Sequence, residues 1–168
     1  LLNQLTSQEE VTAIFKPIKI KALNKFVRRN RQKSGSSVFE TNFTGVKELF
    51  SALKTGETIA MAADQVPAKK MGVWEDFFGR RVYTTNLIPS LHSKTKAPVV
   101  SVAMHSDLYT NRLYIRYGSK WTYKEGSPYD AKAMNKEIEK IININPEDYN
   151  WEYKRFKKQE AEDKAIYK

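Results

Sequence analysis

Thr58-Ile59-Ala60-Met61-Ala62-Ala63-Asp64-Gln65-Val66-Pro67 is an apolar run that stops abruptly at a carboxylate and an amide. A buried strand delivers polar side chains to the rim of a sheet in this way, and in α/β proteins that rim is where ligands sit. The reading therefore sets a strand over 58–63 and a candidate site at Asp64 and Gln65. The following loop carries Lys69 and Lys70, then an aromatic patch from Trp74 to Phe78, and Thr84-Thr85 lies a few residues further on. One carboxylate, two cations and an apolar wall suit a substrate that is part anionic head and part hydrocarbon. Asp64 reads either as the cap of a turn or, as favoured here, as a carboxylate that orients a cationic partner or a substrate hydroxyl.

Working outward, Val11 to Phe15 reads as a short strand entering Lys16-Pro17. Leu23, Phe26 and Val27 give an apolar stripe to a helix over about 21–32. Ser34-Gly35-Ser36-Ser37 is a breaker. Val46, Leu49, Phe50 and Leu53 fall at i, i+3, i+4 and i+7 of a second helix, Thr44 to Lys54, which Gly56 stops. A third helix is expected over Thr85 to Ser93, with Thr84 and Thr85 as its N-cap, a place that also suits an anion. Ala97 to Met104, rich in valine, reads as a central strand, and Leu113 to Tyr117 as a half-exposed antiparallel one. Two helices, about 130–144 and 146–158, close the domain, the second with Lys154, Arg155 and Lys157 at its surface. The expected fold is α/β: a single-domain sandwich over 1–158 with a mixed, mainly parallel central sheet flanked by helices. A charged tail, 159–168, follows.

At 168 residues the chain is long enough for a real core. It has no cysteine, which excludes disulfides, thiolate metal sites and a cysteine nucleophile. Neither His92 nor His105 has a partner at ligand or triad spacing, so neither is read as a base, and no metal or cofactor signature is present. Glycine-rich phosphate motifs are absent. The formal net charge is +10. From Lys16 to Lys33, Lys16, Lys19, Lys21, Lys25, Arg28, Arg29, Arg31 and Lys33 appear without an acid. Such a block is either a solvated helix face or a surface for phosphate, an anionic bilayer or an acidic protein. It lacks the interleaved aromatics of a nucleic-acid surface, and nucleic acid is not an expected partner. No run approaches the roughly 18 apolar residues of a membrane-spanning helix, so the chain as it stands reads as soluble. It opens at Leu1-Leu2-Asn3 without an initiator Met, and is expected to be a processed product or a piece of something longer.

Taken in order, several segments resemble the late acyltransferases of lipid A biosynthesis (lauroyl/myristoyl-type), within the glycerophosphate-type acyltransferase superfamily. They are Ile14-Phe15-Lys16-Pro17, the Leu23 to Arg31 helix, Gly45-Val46 through Glu57, Asp64-Gln65, Phe77-Phe78-Gly79 and Thr84-Thr85. Lys96 to Val100, Met134-Asn135 and Pro146 to Lys157 complete the series. The resemblance covers about Val11 to Lys158. It implies transfer of a fatty acyl chain from acyl carrier protein to an anionic lipid acceptor, a lipid A precursor, at the cytoplasmic face of a Gram-negative inner membrane, with no cofactor. It implies that Lys16, Arg28, Arg29 and Arg31 hold phosphates of the acceptor or of the carrier's phosphopantetheine. Asp64 then has a supporting catalytic role, Gln65, Lys69, Lys70, Thr84 and Thr85 line the substrate, and Phe77 and Phe78 border the acyl groove. The family's base is a His-x4-Asp/Glu pair upstream of the first strand. These 168 residues do not contain it, and the isolated chain is expected to be inactive. Lys16 stands where the family often has Arg, Ala63 where Pro commonly precedes Asp-Gln, and Tyr153 where His is frequent. Acylation of another lysolipid or glycolipid, and a non-catalytic basic module for anionic lipid, are the alternative readings.

Overall fold

Val11–Phe15 forms β1, buried along nearly its whole length, in a computed structural model that describes residues 10–32, 36–107, 109–126, 129–158 and 167. It lies at the centre of a three-stranded sheet of order β2-β1-β3, with β2 (Ser37–Glu40) and β3 (Thr58–Ala60) both parallel to it. Parallel neighbours need crossovers, and two helices provide them: α1 (Lys21–Gln32) and α2 (Phe43–Lys54). Asn42 caps α2, its Oδ1 accepting from the Gly45 amide at 2.9 Å. Gly56 ends that helix region at a φ of 84°, the left-handed conformation that glycine adopts freely. Leu49, fully buried on α2, joins Val11, Ala13, Phe15 and Val38 in the core of this part of the chain. Burial of one such leucine contributes about 2 kcal/mol.

The chain divides into two compact units, Leu1–Met61 and Ala62–Lys168. In the second, β4 (Gly72–Phe77) and β5 (Arg80–Thr85) make an antiparallel hairpin. Its two-residue turn, Phe78-Gly79, has positive φ at both positions, 49° and 72°, as a primed hairpin turn demands. Helix α3 (Leu87–Thr95) leads to a second hairpin, β6 (Val99–Asp107) with β7 (Arg112–Trp121), and α4 (Ala131–Ile144) follows. Asp130 caps α4, accepting from the Ala133 amide at 2.8 Å. Phe77, Val82 and Ile142 form a buried core, packed by Ile138, Tyr149 and Phe156.

Helices and strands alternate as the sequence requires, and the α/β class holds. In place of one mainly parallel sheet, the described residues form three small ones, of which two are antiparallel hairpins. The valine-rich β6 pairs only with β7 among the described residues, so it is not central; valine content reports fit to a pleated surface, not the number of neighbours. The strand expected over 58–63 stops at Ala60. Trp74 to Phe77 is strand rather than loop, with Phe77 wholly buried and Phe78 in the turn that follows. Strand β2 was not expected: it begins at the last residue of the breaker, of which residues 34 and 35 lie outside the described residues, and it is too short to show a period.

The helix expected over 146–158 is a short 3-10 turn, Pro146–Asp148, followed by irregular chain. Tyr149, Trp151, Tyr153 and Arg155 stand two apart, which a helix would scatter around its circumference. Their backbone bonds close local turns instead, such as Tyr153 N–H to the Asn150 carbonyl at 3.1 Å. No helix among the described residues is long and apolar enough to cross a membrane.

Candidate functional site

Arg155 was read at the surface; it is 1% exposed. Its Nη1 donates to the Tyr83 carbonyl and its Nη2 to the Thr84 hydroxyl, each at 2.9 Å, and the guanidinium carbon lies 5.3 Å from the Phe77 ring centroid. The planar fork of arginine presents two nitrogens to both acceptors in a fixed geometry that the point-like ammonium of lysine lacks. Burial pulls the guanidinium below its ordinary value, while Tyr149 and Asp64 act in the opposite direction. Asp64, half-buried in the turn after β3, therefore lies within electrostatic reach of this arginine.

Thr84 and Thr85 are the last residues of β5 rather than a helix cap. Thr84 is fully buried, and its hydroxyl also accepts from Asn135 Nδ2 at 3.0 Å. Asn135, on α4 and equally buried, donates through the same nitrogen to the Asp76 carbonyl at 2.8 Å. Asn86 holds the cap position of α3 without a side-chain bond, and Thr85 serves from one residue earlier, accepting from the Leu87 amide at 3.3 Å. The threonines fix strand, helix and arginine to one another.

The C-terminal segment also pins the loop that carries Asp64. Tyr153 accepts at its hydroxyl from the Val66 amide at 2.8 Å, and Lys158 Nζ donates to the Pro67 carbonyl at 2.6 Å while lying over the Tyr83 ring. Gly72 makes close approach possible on the other side: a Cβ there would strike the Thr84 carbonyl and the Pro67 ring. Two polar groups in this cluster are unspent. Arg155 Nε and the Tyr149 hydroxyl are buried without a hydrogen-bond partner among the described residues. Burial, with the Asp64 charge second, pushes the Tyr149 hydroxyl far above its ordinary value and keeps it a neutral donor. A buried guanidinium and a buried neutral phenol beside a half-buried carboxylate mark a candidate site.

The other residues singled out from sequence are placed as follows. Gln65, Lys69 and Lys70 are exposed, Lys70 with a positive φ of 68°. Phe78 is partly exposed at the hairpin tip, its ring 4.9 Å from that of Phe77, which is itself wholly buried and backs the tip rather than lining a surface. Lys16, Arg28 and Arg29 are exposed in the first unit; Arg31 lies in the last turn of α1, and its side chain is outside the described residues. His92 is structural, its Nδ1 2.6 Å from the Ala97 carbonyl. His105 does have an acid in space: Nδ1 lies 3.4 Å from Asp148 Oδ2, beside a cavity of about 60 Å³ lined also by Ala103, Ile141, Ile142 and Tyr149. Sequence spacing concealed both Arg155 and this pair, because their partners lie 71 and 43 positions away in the chain.

The mixed architecture, a parallel three-stranded sheet in one unit and two antiparallel hairpins with helices in the other, defines the class as α/β. The particular family follows from comparison: residues 2–158 match the family described as bacterial lipid A biosynthesis acyltransferase, and the chain belongs to it. It is 30% identical to the lipid A biosynthesis palmitoleoyltransferase of Escherichia coli (strain K12), over 95% of this chain and 52% of that protein. A lipid A biosynthesis acyltransferase of Shigella flexneri matches at the same identity and coverage. One of Haemophilus influenzae is 25% identical over 72% of this chain and 38% of its own length. The chain thus spans about half the length of the first two.

Proposed function

We propose that the protein transfers a fatty acyl chain from acyl carrier protein to a lipid A precursor, at the cytoplasmic face of a Gram-negative inner membrane, in lipopolysaccharide or lipooligosaccharide biosynthesis. The observation that carries this reading is the family match over residues 2–158, which takes in Asp64, the strand before it and the buried Arg155. The names of the Escherichia coli and Shigella relatives support the acyl-transfer chemistry.

In the reaction the acceptor hydroxyl attacks the thioester carbonyl. A base takes the hydroxyl proton, the C–S bond breaks, and the carrier leaves as a thiol once its sulfur is protonated. On this proposal the base, a His-x4-acid pair, comes from outside these 168 residues. The chain's own groups bind and position. Asp64 orients a donor or an acceptor hydroxyl, and the Arg155 charge within its electrostatic reach supports that role. Lys16, Arg28, Arg29 and Arg31 attract phosphate. Phe78, backed by Phe77, presents apolar surface to the acyl chain.

The test is steady-state acyl transfer by the intact enzyme, with acyl-loaded carrier protein and a lipid A precursor. Asp64→Asn is expected to lower kcat/KM on the order of 10- to 100-fold. Arg28→Ala with Arg29→Ala is expected to raise the KM for the acceptor. Unchanged turnover in Asp64→Asn would remove the role given to that carboxylate.

A further inference from the structure

Ile20, Leu23 and Phe26 are exposed at 64%, 43% and 64%. Advancing about 100° per residue, they fall with Val27 and Asn30 on one side of α1, while Lys21, Lys25, Arg28 and Arg29 take the opposite arc. A helix that only covers its own sheet hides its apolar stripe; here Ile20, Leu23 and Phe26 face water, and among the described side chains of the helix only Asn24 and Val27 are half-buried. The start of the stripe is held in place. Asn24 Oδ1 accepts from the Ile18 amide, and the Asn24 amide donates to the Ile20 carbonyl, each at 2.9 Å.

We infer that α1 lies in the interface of an anionic lipid bilayer. Ile20, Leu23 and Phe26 reach the level of the acyl chains, and Lys16, Lys19, Lys21, Lys25, Arg28 and Arg29 meet the headgroup phosphates. Charge complementarity selects this occupant. No acid interrupts the sequence from Lys16 to Lys33, so nothing sets register against a patterned protein groove. A fluid surface with negative headgroups above hydrocarbon satisfies both arcs of the helix at once. The choice of membrane rests on the proposed function; the lipid contact is read from the helix itself.

These 168 residues contain no cysteine, so a single Asn30→Cys can carry an environment-sensitive fluorophore on the stripe, in the intact protein freed of any other cysteine. The probe is vesicles of phosphatidylethanolamine and phosphatidylglycerol with brominated acyl chains, against phosphatidylcholine vesicles of the same kind. The expected result is a blue shift and quenching with the anionic vesicles. Apparent affinity should weaken on the order of tenfold or more in Ile20→Asp with Phe26→Asp, in Lys25→Glu with Arg28→Glu, and on neutral lipid. Circular dichroism checks that each variant folds. A fluorophore that stays in water with anionic vesicles overturns the inference. So does one equally shielded without lipid, which would mean that another part of the protein covers the stripe, or one shielded by an acidic protein in place of lipid. Acyl transfer in detergent micelles is measured separately. Transfer without quenching sinks the docking alone, and quenching without transfer sinks the proposed function alone.

Discussion

Arg155 Nη2 donates to the Thr84 hydroxyl at 2.9 Å and so ties the C-terminal segment to the end of β5. The same guanidinium holds the Tyr83 carbonyl, and it is nearly inaccessible to water. Removing one partner from a buried charged bond exposes the other to its full desolvation cost. Arg155→Ala is therefore expected to destabilise the protein by about 1–3 kcal/mol for each stranded acceptor, and Arg155→Lys to recover only part of that. The midpoint of urea denaturation measures both, and a variant as stable as the parent would dismiss the arginine as a structural anchor.

Thr84 and Asn135 share one network, and their energies should not add. Thr84→Val strands the Arg155 donor and one Asn135 contact, while Asn135→Ala frees the Asp76 carbonyl and leaves a void on α4. Each is expected to cost about 1–3 kcal/mol. A double-mutant cycle should return a coupling of about 0.5 kcal/mol or more; simple additivity would mean that the two side chains act independently.

Phe78 holds a left-handed backbone at φ 49°, where asparagine rests more easily than a bulky ring. Its ring packs on Phe77 and stands 6.1 Å from Trp151. For Phe78→Asn the relaxed turn offsets the lost ring contact, so stability should change by less than about 1 kcal/mol. Acyl transfer, on the proposed role, should suffer mainly through a raised KM for the acyl donor. Thermal melting and donor titration together separate the two effects.

The His105–Asp148 region predicts an acid-sensitive contact. Bonds from the Ser106 side chain, then its amide, hold the Asp148 carboxyl below its ordinary value of 3.8. A carboxyl depressed in the folded state stabilises above its unfolded value, and that contribution disappears as pH falls through the folded value. Urea midpoints taken downward from pH 5 should fall as pH drops below about 4. Asp148→Asn should flatten that part of the curve; an unchanged slope would assign it to other carboxyls.

Gly72 lies against the Thr84 carbonyl and the Pro67 ring, where an added methyl has no room. Gly72→Ala is expected to cost about 1–3 kcal/mol through displaced backbone. Faster amide exchange at Val66, whose partner is the Tyr153 hydroxyl, would report the shift of the Asp64 loop.

Composition and local pattern alone determined a good deal of this protein. Residues 11–15, 21–32 and 43–54 follow the sequence within a residue, because period and capping act over a few neighbours: Asn42 and Gly56 bracket α2 wherever the rest of the chain lies. The ordered motifs from Ile14 to Lys157 carried the family for a similar reason, since residue identity and spacing survive in one dimension. Tertiary structure alone decided what Arg155 does, why Thr84 is buried, that His105 meets an acid, and that Phe77 backs the hairpin while Phe78 tips it. Each depends on side chains brought together from distant positions. Burial and electrostatics there are set by distance in space, which spacing along the chain does not encode.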